Sequence, residues 1–179
     1  MEWNLSEKVA AFCRDHSLDV KLSSEMPAGY ETAFGTYDVT VNTLFLNEKL
    51  LERAPQWEVL YYLYHELRHA MQYQHPEKFD PKIQESRFYV VLYNGVCFKL
   101  TDNCWQECTL EGEDFTQAYL HLPYEMDANN FAYQMVQKVL GSSPELENLY
   151  RSWMPDTPWQ YEKLEALFRR IDLRLKGED

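Results

Sequence analysis

His65-Glu66-Leu67-Arg68-His69 sets two imidazoles four residues apart, with a carboxylate directly after the first. On an α-helix, positions i and i+4 share a face, about 40° apart at 100° per residue. Two imidazoles so placed can reach one Zn²⁺ at about 2.0–2.1 Å each. Glu66 stands at the rim of that face. It is badly placed to bind the same ion and well placed to hold a water that does. A glutamate base beside metal-bound water is an arrangement for hydrolysing peptide bonds. With 5 His in 179 residues, composition alone would give about 0.014 such matches, so the motif stands above background. The plainer reading packs both histidines against Tyr61, Tyr62 and Tyr64 and leaves Glu66 and Arg68 in solvent.

Two histidines need a third protein ligand and an open position for water. His75 lies only six residues past His69, too near to swing back from a helix end. His121 is a second candidate. Glu125, in LPYEMDANNFAYQMV, is the best, because it begins a further helix whose first turn can face the histidines. Asn129 follows at i+4 and is expected to hydrogen-bond a ligand histidine. The bland reading of Glu125 and Asp127 is a pair of first-turn carboxylates favoured by the helix dipole.

The elements that must position these residues can be read from punctuation and periodicity. Pro55 opens a long helix over about 56–74, which His75-Pro76 ends. With His65 at 0° on its wheel, Leu60, Leu63 and Leu67 fall between about 160° and 220°, so one face anchors and the other carries the histidines. A second helix runs over about 123–140, with Pro123 in its first turn and Gly141 just past its end. Upstream, residues 5–16 read as a helix with Ser6 as N-cap, and 18–22 as a short strand. Residues 31–47 read as two or three short strands, and 48–53 as a short helix. Residues 86–110 read as β again, with Tyr93-Asn94-Gly95 as a turn. Residues 158–176 read as an amphipathic helix, with Leu164, Leu167, Phe168, Ile171 and Leu175 on one face. Strands and helices segregate, so the class is α+β with a small antiparallel or mixed sheet.

Composition agrees with one globular domain over 1–179, with a β-rich insertion near 82–120. The net charge of −12 disfavours a direct nucleic-acid partner, and the chain offers no membrane span. No basic start precedes an apolar stretch at the N-terminus, so a cytoplasmic location is expected. Cys13, Cys97, Cys104 and Cys108 are then expected as free thiols. Trp153 and Trp159 read as packing, and Glu111-Gly112-Glu113-Asp114 as a solvated turn.

The motif HELRHA followed by Glu125-x-x-Ala128-Asn129-x-Phe131-Ala132 resembles the ImmA/IrrE-type, gluzincin-like zinc metallopeptidases. Asn42-Thr43-Leu44-Phe45-Leu46-Asn47 resembles the short strand that precedes their active-site helix. The similarity covers roughly residues 30–135 and implies a zincin-like fold built on the HExxH helix. It also implies a division of labour. His65, His69 and Glu125 would hold zinc, although Fe²⁺ or Mn²⁺ suits the same ligands. Glu66 would be the catalytic base, acting on a protein or peptide substrate. An oxyanion donor stays open between His121 and a tyrosine such as Tyr124. The strand 43–47 reads equally as a candidate edge for an extended substrate or as a plain sheet strand. Two departures stand out. Arg68 replaces the usual Gly, and the 56-residue gap from His69 to Glu125 is lengthened by the insertion. The rival expectation is a metal-binding regulatory module with this fold and no turnover, against which the presence of Glu66 argues.

Overall fold

The computed structural model describes residues 4–91, 96–113 and 115–178. The first helix, α1 (Leu5–His16), is capped by Asn4, whose side chain accepts from the Glu7 amide. The expected cap, Ser6, lies inside the first turn, because the chain enters helical geometry two residues earlier than the polar spacing suggests. Strand β1 (Lys21–Ser23) follows, shorter and later than the alternation at 18–22 implies. Strands β2 (Gly35–Asp38) and β3 (Thr43–Leu46) complete a mixed sheet in the order β1-β3-β2, with β1 parallel and β2 antiparallel to β3. β3 is therefore the central strand, paired on both sides. Of the two readings of 43–47, an edge for substrate or a plain sheet strand, the second holds, because β1 returns beside it.

The two asparagines that bracket β3 fix this sheet. Asn42, at φ 50°, accepts from the Tyr37 hydroxyl at 2.7 Å and from Gln74 Nε2 at 3.1 Å. Asn47, 5% exposed, caps α2 (Glu48–Leu51) and donates to the carbonyls of Glu31 and Ala33. A buried amide with all these partners is a structural clamp.

Helix α3 (Gln56–Gln74) has the bounds that the sequence implies, with Pro55 at its N-cap. Leu60, Leu63 and Leu67 are fully buried, as the wheel requires. The opposite face is buried too, so the histidines do not look into solvent. A single 3₁₀ turn (Pro76–Lys78) leads to α4 (Pro81–Ser86). The insertion then forms a separate antiparallel sheet from β4 (Tyr89–Val91), β5 (Cys97–Thr101) and β6 (Cys104–Cys108). Its expected turn at Tyr93-Asn94-Gly95 lies outside the described residues. Asp102 and Asn103, both at positive φ, make the two-residue turn between β5 and β6. The Trp105 indole N–H donates to Asp38 at 3.3 Å, tying this hairpin to the end of β2.

Helix α5 (Phe115–His121) leads into α6 (Pro123–Leu140), again with the bounds expected. Gly141 closes α6 at φ 86°, a conformation that a side chain would strain. The chain ends with α7 (Pro144–Ser152) and α8 (Tyr161–Lys176). The class is α+β, with two small sheets and eight α-helices among the described residues.

Two apolar cores result. The first joins α1, the mixed sheet, α3 and the later turns of α6, through Ala132 and Val136. The second gathers Tyr89, Cys97, Cys108, Phe115 and Leu122 under Leu164, Leu167, Phe168 and Ile171 of α8. The apolar stripe of α8 thus covers the insertion. Phe168 stacks on Tyr89 at 4.1 Å, and Asp172 holds both the Tyr89 hydroxyl and Lys99. No helix is long and apolar enough to cross a membrane among the described residues.

Candidate metal centre

Helix α3 brings His65 and His69 onto one face, and α6, packed along it, carries Glu125 in its first turn. The three donor atoms converge. His65 Nε2 and His69 Nε2 stand 3.0 Å apart, and Glu125 Oε2 lies 3.2 and 3.6 Å from them. In a tetrahedral site with bonds of about 2.0–2.1 Å, donors stand about 3.3–3.4 Å apart. The three observed separations bracket that value, so this buried group can hold a metal ion. The same set suits several divalent cations, and nothing in its shape selects one.

The sequence alternatives for the third donor are engaged elsewhere. His75 Nε2 meets the Ser17 carbonyl at 3.1 Å. His121 places its two ring nitrogens on the carbonyls of Gln117 and Thr157, and its ring stacks on Trp159 at 4.3 Å. Of the cysteines, Cys104 is exposed, and Cys13, Cys97 and Cys108 are buried. In the acidic run 111–114, Glu113 pairs with Arg170, and Asp114 lies outside the described residues.

One expectation is corrected. Asn129 is buried, but it accepts from Tyr61 and donates to the Trp153 carbonyl instead of touching a ligand histidine. Gln72 takes that place. Its Oε1 lies 2.8 Å from His69 Nδ1. Its Nε2 donates to the Tyr124 carbonyl at 2.9 Å and to Asp127 Oδ2 at 2.8 Å. Both of those partners only accept, so the amide can face only one way. Oε1 must then accept, and His69 Nδ1 must carry the proton. Nε2 is left to the donor triangle, which is the tautomer a metal-ligating imidazole needs. The sequence signal for Gln72 was its i+3 spacing from His69 on the same helix.

Asp127 has a second role. It accepts Arg68 in a two-pronged contact, from Nε at 2.8 Å and Nη2 at 3.0 Å. The Arg68 guanidinium lies 4.6 Å from the Phe79 ring centre and 4.5 Å from that of Phe131. The long cation at this position therefore fills a slot of its own and anchors the carboxylate that orients Gln72.

Glu66 lies outside the donor set and directly beside it. Burial pushes its carboxyl up to about 7, Glu125 adds to this, and His65 and the Tyr37 amide oppose it. Gly35 makes room for it. A Cβ there would stand 3.1 Å from Glu66 Cγ, 3.2 Å from a Leu46 methyl and 3.2 Å from the Phe45 carbonyl oxygen. Burial works against a charge on Glu125 as well, but His69 and His65 outweigh it and hold that carboxyl well below the usual range.

The insertion also reaches the site. The Tyr119 hydroxyl, on α5, donates to Glu125 Oε2 at 3.1 Å. Burial, Glu125 and Glu66 all keep that phenol protonated. The whole centre is nearly sealed, with His65 8%, Glu66 6%, His69 3% and Glu125 4% exposed. Comparison with protein-family models, curated proteins and solved structures finds no match for this chain.

Proposed function

We propose that this protein is a zinc-dependent metallopeptidase with a zincin-like fold, hydrolysing peptide bonds of a protein or peptide. The observation that carries the reading is the buried Glu66 carboxylate, set against the His65–His69–Glu125 donors without belonging to them. A purely structural metal site has no use for such a group. Burying it costs several kcal/mol unless it is paired or neutralised. The motif resemblance to ImmA/IrrE-type peptidases points the same way.

His65, His69 and Glu125 would hold the ion. When bound, Zn²⁺ supplies Lewis acidity, lowering the pKa of a water and polarising a carbonyl. Glu66 takes the proton from the attacking water and delivers it to the leaving amine. Gln72 holds His69 in the productive tautomer, and Arg68 with Asp127 holds Gln72. For an extended substrate, β2 is the better rail than β3. It pairs on one side only, and its Tyr37 amide already faces Glu66.

The test measures metal content by mass spectrometry and hydrolysis of labelled casein and a randomised peptide library. Wild type should hold about one zinc per chain and cleave. His69→Ala should lose the metal, and Glu66→Gln should keep it and lose cleavage. A wild type that takes up no zinc on titration refutes the reading. A zinc-loaded wild type without turnover leaves the regulatory module in its place.

A further inference from the structure

We propose that Tyr119 is the hydrogen-bond donor for the negative charge that develops on the substrate carbonyl oxygen, so that the insertion supplies part of the catalytic site. The proposal rests on the peptidase reading above. Its geometric basis is the place of α5 beside the donor triangle.

The Tyr119 hydroxyl stands 3.1 Å from Glu125 Oε2, the oxygen that lies 3.2 and 3.6 Å from the two histidine nitrogens. A carboxylate only accepts, so the phenol is the donor in that bond. Its proton therefore already points at the edge of the donor triangle. Once Glu125 is committed to a cation, its claim on that proton falls. A carbonyl oxygen arriving beside it then meets a donor already aimed.

The other polar groups considered for this role are directed elsewhere. The Tyr124 ring stacks on His69 at 4.1 Å and meets the Tyr73 ring edge-on at 6.2 Å. Tyr73 donates to the Arg87 carbonyl, and Tyr61 to Asn129. His121 has a carbonyl at each ring nitrogen. Tyr119 is also firmly placed. Its ring meets Trp153 edge-on at 6.4 Å, and α5 is anchored in the second core by Phe115 and Ala118.

In the step itself, the water oxygen bonds to the carbonyl carbon and its proton passes to Glu66. The carbonyl π pair moves onto the oxygen, which accepts the Tyr119 hydrogen bond. The tetrahedral species then re-forms C=O and breaks the C–N bond, and the amine leaves with the proton from Glu66. Tyr119 keeps its own proton throughout.

The experiment compares zinc-loaded wild type, Tyr119→Phe and Glu66→Gln on labelled casein and the randomised peptide library. Metal content is read by mass spectrometry, and the visible spectrum is recorded for the Cu²⁺-substituted wild type and Tyr119→Phe. Tyr119→Phe should keep its metal and its KM within about twofold and lose about 10²–10³ in kcat. Unchanged kcat overturns the assignment, and if Glu66→Gln is inactive the peptidase reading survives. Loss of metal in Tyr119→Phe also overturns it, making the tyrosine a support for Glu125. A phenolate-to-copper band that disappears in Tyr119→Phe makes it a metal ligand and overturns it as well. A zinc-loaded wild type that cleaves nothing removes the peptidase reading and this proposal with it.

Discussion

Gln72→Leu isolates the contact that sets the His69 tautomer. Leucine is near glutamine in volume although one bond shorter, so most of the packing between α3 and α6 should survive. What disappears is one acceptor and two donated bonds. Tyr124 loses a partner for its carbonyl, and Asp127 keeps both prongs of Arg68. The group left without a partner is the His69 Nδ1–H, on a residue only 3% exposed. A buried donor so stranded costs about 1–3 kcal/mol, and the metal-free protein should lose about that much stability. The ring is then free to rotate or to move its proton to Nε2, the atom the triangle needs. Loss of such an orienting partner typically costs 10–100-fold in metal affinity, or about 1.4–2.8 kcal/mol. The assay is zinc competition against a chromophoric chelator at fixed pH, with denaturant melts of the metal-free proteins. Nitrogen NMR of the metal-free wild type should show His69 Nδ1 protonated. Wild-type zinc affinity in Gln72→Leu, or a His69 Nδ1 without a proton, refutes the reasoning.

Three further outcomes are expected. Gly35→Ala should push its Cβ against Glu66 Cγ and the fixed Phe45 carbonyl. It should cost about 1–3 kcal/mol in a denaturant melt and lower kcat with metal content unchanged. Arg68→Ala should strip the guanidinium from between Phe79 and Phe131 and leave Asp127 without its cation. A loss of about 2–4 kcal/mol follows, together with weaker zinc binding, and an unchanged melt would contradict the anchoring role. Phe168→Ala, at a side chain 2% exposed and stacked on Tyr89, should cost about 3–5 kcal/mol. Amide exchange should then rise over the insertion before it rises in α3.

The legible parts of the fold are those whose signals are local. Proline at the start and Gly or His-Pro at the end delimit α3 and α6, and both have the expected bounds. The i, i+4 spacing of the histidines needs only a helix, and Glu125 needs only to lie in the first turn of another. Helices α4, α5 and α7 were not anticipated. They span 6 to 9 residues, too few for periodicity to separate from turn composition. The exchange of Asn129 for Gln72 has a different origin. Spacing along α6 says that Asn129 shares a face with Glu125, but the way α6 lies against α3 decides who meets His69. The position of β3 was obscure for the same reason. Its own residues cannot reveal that β1 returns beside it.

Helix α6 starts at the edge of one core and ends inside the other, and that gives the centre a lever arm. Leu122, just before its first turn, is packed in the second core, and Ala132 and Val136 are packed in the first. His65 and His69 travel with the first core alone, whereas Glu125 rides near the joint. At 1.5 Å per residue, a 5° tilt of α6 about Val136 would carry Glu125 about 1.4 Å. That exceeds the whole spread of the donor separations, from 3.0 to 3.6 Å. Whatever presses on α8 or the insertion sheet is therefore felt at the third donor before it is felt at the first two.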